Sequence, residues 1–399
     1  MSQPFENIRI IDFTQVLAGP YAVMQLALLG AEVIKVEQPD TGDQTRGLPS
    51  DSKHAGMTPS FMTCNVNKKS LTLNLKAPEA KEILERLVAT SDVVVENFKA
   101  GTMTRLGFDY ETIKRIKPDI IYCSVTGYGQ TGPKAGVAAY DGAIQAASGM
   151  MSQNGHETTG PTRTGYMPVD MSTALNTAFA ISTALFRRER TGEGQFIDVA
   201  MMDTAIVAQA AQFSNYLNTG NLVGLKGNAS PTRQPTADVF TTKDGHIQIT
   251  ALRQPQIEKL FEIMGCSEKL EDEAFATLPA RIANDQEVRS YISEKLATDT
   301  TARWLAKLEA AGVPVAEIRS VPEVVTDPQF EHRSVFHTFA SPADSSRDVT
   351  IVKAGFITDR DGPAVRQPPP LLGQHTDEIL EGLGYDAPAR NIWRAAGII

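Results

Sequence analysis

The chain has 399 residues, 42% hydrophobic and 21% charged, a balance that supports two domains with ordinary apolar cores. Its net charge of -9 argues against a general nucleic-acid binder, which needs a basic surface to neutralise phosphates, but leaves room for a local basic pocket. Cys64, Cys123 and Cys266 are far apart and form neither a disulfide framework nor a metal-ligand pattern, so reduced, mostly buried thiols and no metal are expected.

Residues 1–7 are polar, without the apolar segment of a secretory leader. No apolar run approaches the ~20 residues of a membrane span. A cytoplasmic enzyme without membrane or nucleic-acid partners is the expectation. Residues 8–13 read as a short apolar strand. Gly19-Pro20 reads as a turn into a helix over 21–29, with Pro20 suited to a first helical turn and Gly30 to a stop. Residues 31–36 form a second apolar strand ending at Glu37. Continuous apolar strands around a helix point to a parallel sheet covered on both faces.

The alternation continues with a strand over 71–75, a helix over 78–89, a strand over 92–95, a helix over 110–116 and a strand over 120–125. Such spacing predicts an α/β fold, whose ligands sit in the loops at strand ends. Residues 127–165 are rich in glycine and too long for a plain connection. A small-residue helix over 172–188, a turn at Gly192-Glu193-Gly194, a strand over 196–199 and a helix over 203–217 follow. Residues 217–236 read as a linker, polar with several Gly and Pro. Beyond it a smaller α+β domain opens on a hairpin, 237–241 and 246–250, around Lys243-Asp244-Gly245. Helices over 254–264, 286–296 and 301–311 complete that domain. The tail returns to strands and ends in a helix over 376–383. The expected division is therefore a discontinuous large domain, 1–225 with 326–399, and a small domain, 237–325.

No GxGxxG follows the first strand, and the chain contains no GxxxxGK[ST], HExxH, GxSxG or paired-cysteine motif. The histidines at 54, 156, 246, 332, 337 and 375 are isolated, as surface or structural histidines are. Asp170 stands out by position: it follows Pro168-Val169 and opens an apolar helix. An Asp there suits a helix N-cap. It equally suits a carboxylate nucleophile kept ionised by the helix N–H groups and dipole. Arg46, Lys68 and Lys69 read either as solvated surface charges or as partners for ligand phosphates. Phe98, closing a strand after Asn97, is either core or a stacking surface for an adenine.

Ordered motifs along nearly the whole chain then carry a resemblance: FTQVLAGP at 13–20, LGAEVIKVE at 29–37 with Gly42-Asp43 and Arg46, NKKSL at 67–71 and VENF at 95–98. GYGQTGP at 127–133, Tyr140-Asp141, GQFIDVAM at 194–201 and LGQHT at 372–376 complete the set. The sequence resembles the class III CoA-transferases, the formyl-CoA and carnitine CoA-transferase family. That resemblance implies a Rossmann-like large α/β domain built from both chain ends, a smaller α+β domain between them, and an interlocked homodimer. It implies transfer of coenzyme A from an acyl-CoA thioester to a free carboxylic acid, with no permanently bound cofactor. Asp170 falls where the family has its catalytic aspartate, implying aspartyl anhydride and aspartyl-CoA thioester intermediates. Backbone N–H groups of 127–132 are candidates for stabilising the oxyanions.

Coenzyme A contacts carried over by position are Val16, Leu17 and Gln38 from the first loops, and Leu73, Asn74, Leu75 and Lys76 after the third strand. Asn97, Phe98, Lys99 and Arg105 continue the set, and Val137, Ala138, Ala139 and Tyr140 close it. Formyl-CoA transferases have Gln in place of Leu17, Arg in place of Gln38 and Lys in place of Ala138. Their glycine-only covering loop is replaced here by 227–231, which disfavours formate and oxalate. Arg163 is a candidate for holding the second carboxylate of a dicarboxylic substrate such as succinate. Two rival readings follow from the same motifs. A 2-methylacyl-CoA racemase needs a second base, but Tyr140 stands where that family has His, and a phenol with a pKa near ~10 is a poor base at neutral pH. A non-catalytic CoA-binding protein would have no need of Asp170.

Overall fold

The computed structural model describes residues 3–49 and 56–399; His54 lies outside them. Two compact units emerge, one of residues 1–150, 164–213 and 328–399, the other of 151–163 and 214–327. Residues 151–163, placed with the large domain on sequence, belong to the second unit. There Gly227 N–H donates to Gly155 O at 2.7 Å, and His156 bridges Lys226.

The first unit is built on alternating strands and helices: β1 (Arg9–Asp12), α1 (Ala18–Leu28), β2 (Glu32–Glu37), α2 (Pro59–Asn65), β3 (Lys68–Thr72), α3 (Pro78–Ala89), β4 (Val93–Glu96), α4 (Thr102–Leu106), α5 (Tyr110–Ile116) and β5 (Ile121–Thr126). After α6 (Asp141–Ala147), the two-residue strands β6 (Gly155–His156) and β7 (Gly160–Pro161) belong to the second unit. Helix α7 (Pro168–Thr191), β8 (Gln195–Ala200), α8 (Met201–Ala208) and α9 (Ala210–Thr219) follow. Six strands form one parallel sheet in the order β3-β2-β1-β4-β5-β8. The chain starts in the middle, winds out to β3, then returns to β4, so β1 and β4 flank the switch point where such sheets open a crevice. Ile10, between Val33 and Val93 in the register, packs with Leu26 of α1 and Ile181 of α7. Its neighbour Ile11 packs with Leu84 of α3 and Ile113 of α5 on the other face. Both faces being covered explains the unbroken apolar strands.

Several boundaries differ from the sequence expectation, each for a local reason. Helix α1 starts at Ala18, with Gly19-Pro20 inside its first turn. A Cβ on Gly19 would sit 2.5 Å from the Thr14 side chain, so this turn packs too closely for any other residue. Strand β3 lies three residues earlier than its most apolar stretch, because its register follows β2: Lys68 pairs with Val33 and Thr72 with Glu37. Helix α6 interrupts the glycine-rich stretch, and the helix expected over 203–217 breaks at Gln209 into α8 and α9.

In the second unit β9 (Ala237–Thr241) and β10 (His246–Thr250) pair as the expected hairpin, with β11 (Val315–Glu317) on the far side of β10. Ile247, Ile249, Phe261, Phe275 and Trp304 make its core. No described helix is long and apolar enough to cross a membrane.

Candidate active site

At the C-terminal ends of β1, β4 and β5 the first unit has a cleft of about 260 Å³, with Asp170 and Met201 in its wall. Four segments and Gln44 supply the rest of the lining: 15–18 after β1, 97–100 after β4, 125–129 at the end of β5 and beyond it, and 136–140 before α6. The loops after β1 and β4 are tied across the switch point. Gln15 N–H donates to Asn97 Oδ1 at 2.8 Å, and Asn97 Nδ2 donates back to Gln15 O at 2.8 Å.

Asp170 is the third residue of α7, not its N-cap; Met167 holds that position and offers no side-chain cap. The capping is done from a distance. Asp141 Oδ2 accepts the N–H of Val169 at 2.9 Å and of Asp170 at 3.1 Å. Gln145 Nε2 donates to Asp141 Oδ1 at 2.5 Å, and Thr164 N–H donates to Gln145 Oε1 at 3.1 Å, so the chain entering α7 is fixed from both ends. The Asp170 carboxylate is thereby relieved of capping, and no hydrogen-bond donor among the described residues meets it. Burial, then the charge of Asp141, pushes its pKa up to about 6. It remains mostly ionised at neutral pH, poorly solvated, and faces a cleft: the state in which a carboxylate is most nucleophilic.

A second buried acid stands behind the cleft. Glu96, at the end of β4, accepts the N–H of Phe98 at 2.8 Å and the Ser124 hydroxyl, and Gln130 Nε2 donates to that hydroxyl at 2.5 Å. Burial raises the Glu96 pKa to about 7. Glu96 thus joins the loops after β4 and β5.

Of the residues expected from sequence, Val16, Leu17, Asn97, Phe98, Lys99, Val137, Ala138, Ala139 and Tyr140 line this cleft together with Asp170. Gln38, Asn74, Leu75, Lys76 and Arg105 lie outside it. Gln38, Lys76 and Arg105 are exposed, and Arg105 donates to Thr102 Oγ1 at 2.9 Å. Leu73 is fully buried in the core, so its side chain is closed to any ligand. Phe98 is half-buried against that core while lining the cleft.

The expectation of phosphate partners fails for three cations. Lys68 is fully buried and 2.8 Å from Asp12, and Arg46 makes a two-pronged contact with Glu37 at 2.7 and 2.8 Å. Lys69 is divided between Glu32 and Glu378. The glycine loop also offers fewer donors than its sequence implies, since Gly129 N–H already donates to Thr126 Oγ1 and Gln130 N–H to Asp198 Oδ2, each at 2.9 Å. Arg163 is exposed and belongs to the second unit. Gln15, Gln44, Met201 and Asp141 were not singled out on sequence. Gln15, Met201 and Asp141 stood within the motifs at 13–20, 194–201 and 140–141, and Gln44 in none of them.

The model of the CoA-transferase family III matches residues 5–376. The chain is 37% identical to the succinyl-CoA:glutarate CoA-transferase of Mus musculus over 407 aligned positions, covering 100% of this chain and 90% of that one. It is 37% identical to the succinate–glutarate CoA-transferase of Agrobacterium fabrum, over 95% of this chain and 96% of that one. The crystal structure of a CaiB/BaiF family protein from Brucella suis superposes with a TM-score of 0.84 at 35% identity, covering 96% of this chain and 100% of that one.

Proposed function

The chain belongs to CoA-transferase family III, and from that premise we propose that it moves coenzyme A between two dicarboxylic acids, with Asp170 as the acyl acceptor. The observation that carries this reading is the Asp170 carboxylate itself: it borders the cleft, takes no hydrogen bond from the described residues, and is raised only to about 6 by burial and Asp141. Two relatives act on succinate and glutarate by name, which is the ground for choosing dicarboxylates.

In the first step Asp170 attacks the thioester carbonyl carbon of the donor; the C–S bond breaks, and coenzyme A leaves as a thiolate. The thiolate then attacks the aspartyl carbonyl of the mixed anhydride, releasing the donor acid as its carboxylate and leaving an aspartyl-CoA thioester. The acceptor carboxylate runs the two steps in reverse. Each step trades one activated acyl bond for another, so the thioester's free energy survives as long as water is kept out. The oxyanions need donors. We assign them to the first turn of α1, where Leu17 and Ala18 line the cleft and a helix start presents free N–H groups. Lys99, the cation in the cleft lining, is assigned to the phosphates of coenzyme A. The active form is taken to be an interlocked homodimer.

The test is direct. Succinyl-CoA supplied with glutarate should give glutaryl-CoA, and acyl-CoA with hydroxylamine should leave a hydroxamate on Asp170, seen by peptide mass spectrometry. Exchange without any adduct at Asp170 would remove the covalent route, and no exchange across a panel of dicarboxylates would remove the substrate class.

A further inference from the structure

Val16 lies on the cleft wall with φ +73°, in the left-handed region that a β-branched residue adopts only under constraint. The source of the constraint is visible. Val16 N–H donates to Asp43 Oδ1 at 3.3 Å, while Asp43 Oδ2 pairs with Lys35 Nζ at 3.0 Å. Lys35 Nζ also donates to Thr14 O at 2.6 Å. On the other side, Asp12 Oδ1 accepts Thr14 N–H at 2.9 Å, and Asp12 Oδ2 pairs with Lys68 Nζ at 2.8 Å. Lys68 Nζ donates in turn to Pro20 O at 2.9 Å. The side chains of Lys35, Asp43, Asp12 and Lys68 are all 0% exposed.

Burying charges that well-packed apolar residues could replace stabilises a fold weakly or not at all. A role in geometry is therefore the better account of them. Here three of them end on backbone of the 14–17 turn, at Thr14 N–H, Thr14 O and Val16 N–H, with Asp43 Oδ1 shared with Thr45 N–H and hydroxyl at 2.9 and 2.8 Å, while Lys68 ends on Pro20 O in the adjoining first turn of α1. Strained backbone persists only where its surroundings over-determine it, and it clusters where function needs it.

We propose that Asp12, Lys35, Asp43 and Lys68 are positioning residues, a buried ion network that forces the 14–17 turn into its strained form and so sets the backbone facing the acyl group on Asp170. The kinetic side of this inference rests on the transfer reading above; the conformational side does not.

The experiment is a double-mutant cycle. D43N keeps the shape and the acceptor for Val16 but removes the charge facing Lys35, and V16G removes the strain, since glycine adopts a positive φ freely. D43N should lower kcat/KM for succinyl-CoA about tenfold in the Val16 background, and less than about threefold in the V16G background, because an unstrained turn no longer needs forcing. An equal loss in both backgrounds would show a merely structural network and overturn the proposal. If D43N alone does not fold, D43N/V16G must fold and transfer; failure there overturns it as well. A crystal structure of D43N separates this inference from the functional reading. Residue 16 should leave the left-handed region whether or not the wild type transfers coenzyme A, and an unchanged φ there would refute the network's role.

Discussion

A carboxylate that attacks a thioester must be charged yet thinly solvated, and these demands conflict with stability at a single residue. Burial raises the Asp170 pKa from 3.8 to about 6, so the fold holds the protonated form more comfortably. The penalty is absent below the unfolded-state pKa and complete above about 6, with an upper size of roughly 2–3 kcal/mol. Asp170→Asn should therefore abolish exchange, by about 10³ or more, while raising the melting temperature at pH 8 and leaving it unchanged near pH 4. A variant that is inactive but no more stable at pH 8 would contradict the burial argument. Because the ionised form attacks, kcat/KM should fall as pH drops through about 6. Asp141→Asn removes the charge that adds to that shift, so the acid limb should move to lower pH in a pH–rate profile, even though weaker capping of α7 lowers the rate overall. Asp170, the proposed nucleophile, stood out in the sequence from its place opening an apolar helix. The capping role of Asp141 was not legible, because it acts 28 and 29 residues away, on the N–H groups of Val169 and Asp170. Lys68 and Arg46 misled for the same reason: nothing local distinguishes a lysine that meets phosphate from one sealed against Asp12.

Among the elements, those fixed by local sequence came out at the expected residues. Helix α3 starts at a proline and keeps an apolar stripe, α5 is capped by Asp109, and β9–β10 turns on Lys243-Asp244-Gly245. Elements placed by distant partners did not: β3 takes its register from β2, and α6 starts where Asp141 is pinned to α7. The same distinction separates two neighbouring glycines. Gly192 ends α7 with φ +70° and open space around it, whereas a Cβ on Gly194 would lie 2.1 Å from Ile120 O, where β8 approaches β5. Gly192→Ala should cost about 1 kcal/mol, the usual penalty at a left-handed cap. Gly194→Ala must push β8 away from β5 and should cost about 2–4 kcal/mol, read as a lower denaturant midpoint. Equal costs would mean that the close approach does not matter.

On the scale of the whole molecule, α7 is the element with most still to bury. Its inner face is core, through Ile181 and Leu185, yet Leu175, Phe179 and Phe186 stand 54%, 68% and 65% exposed along one line on the other side. Single exposed apolar residues are ordinary, but three at helical spacing on a 24-residue helix form a stripe of the kind that another subunit covers. Were the dimer a simple docking of such stripes, Phe179→Glu would remove about 2–3 kcal/mol per copy, enough to dissociate it at micromolar concentration. An interlocked dimer behaves otherwise, since two chains threaded through one another cannot separate without unfolding. Subunit exchange between two differently tagged dimers would then follow the unfolding rate instead of dilution. Mixed native samples should yield no hybrid over hours by native mass spectrometry, and refolding from denaturant should yield hybrids in statistical proportion. Rapid hybrid formation without denaturant would leave a dimer but remove the interlock, and a monomer of 43.2 kDa at all concentrations would remove both.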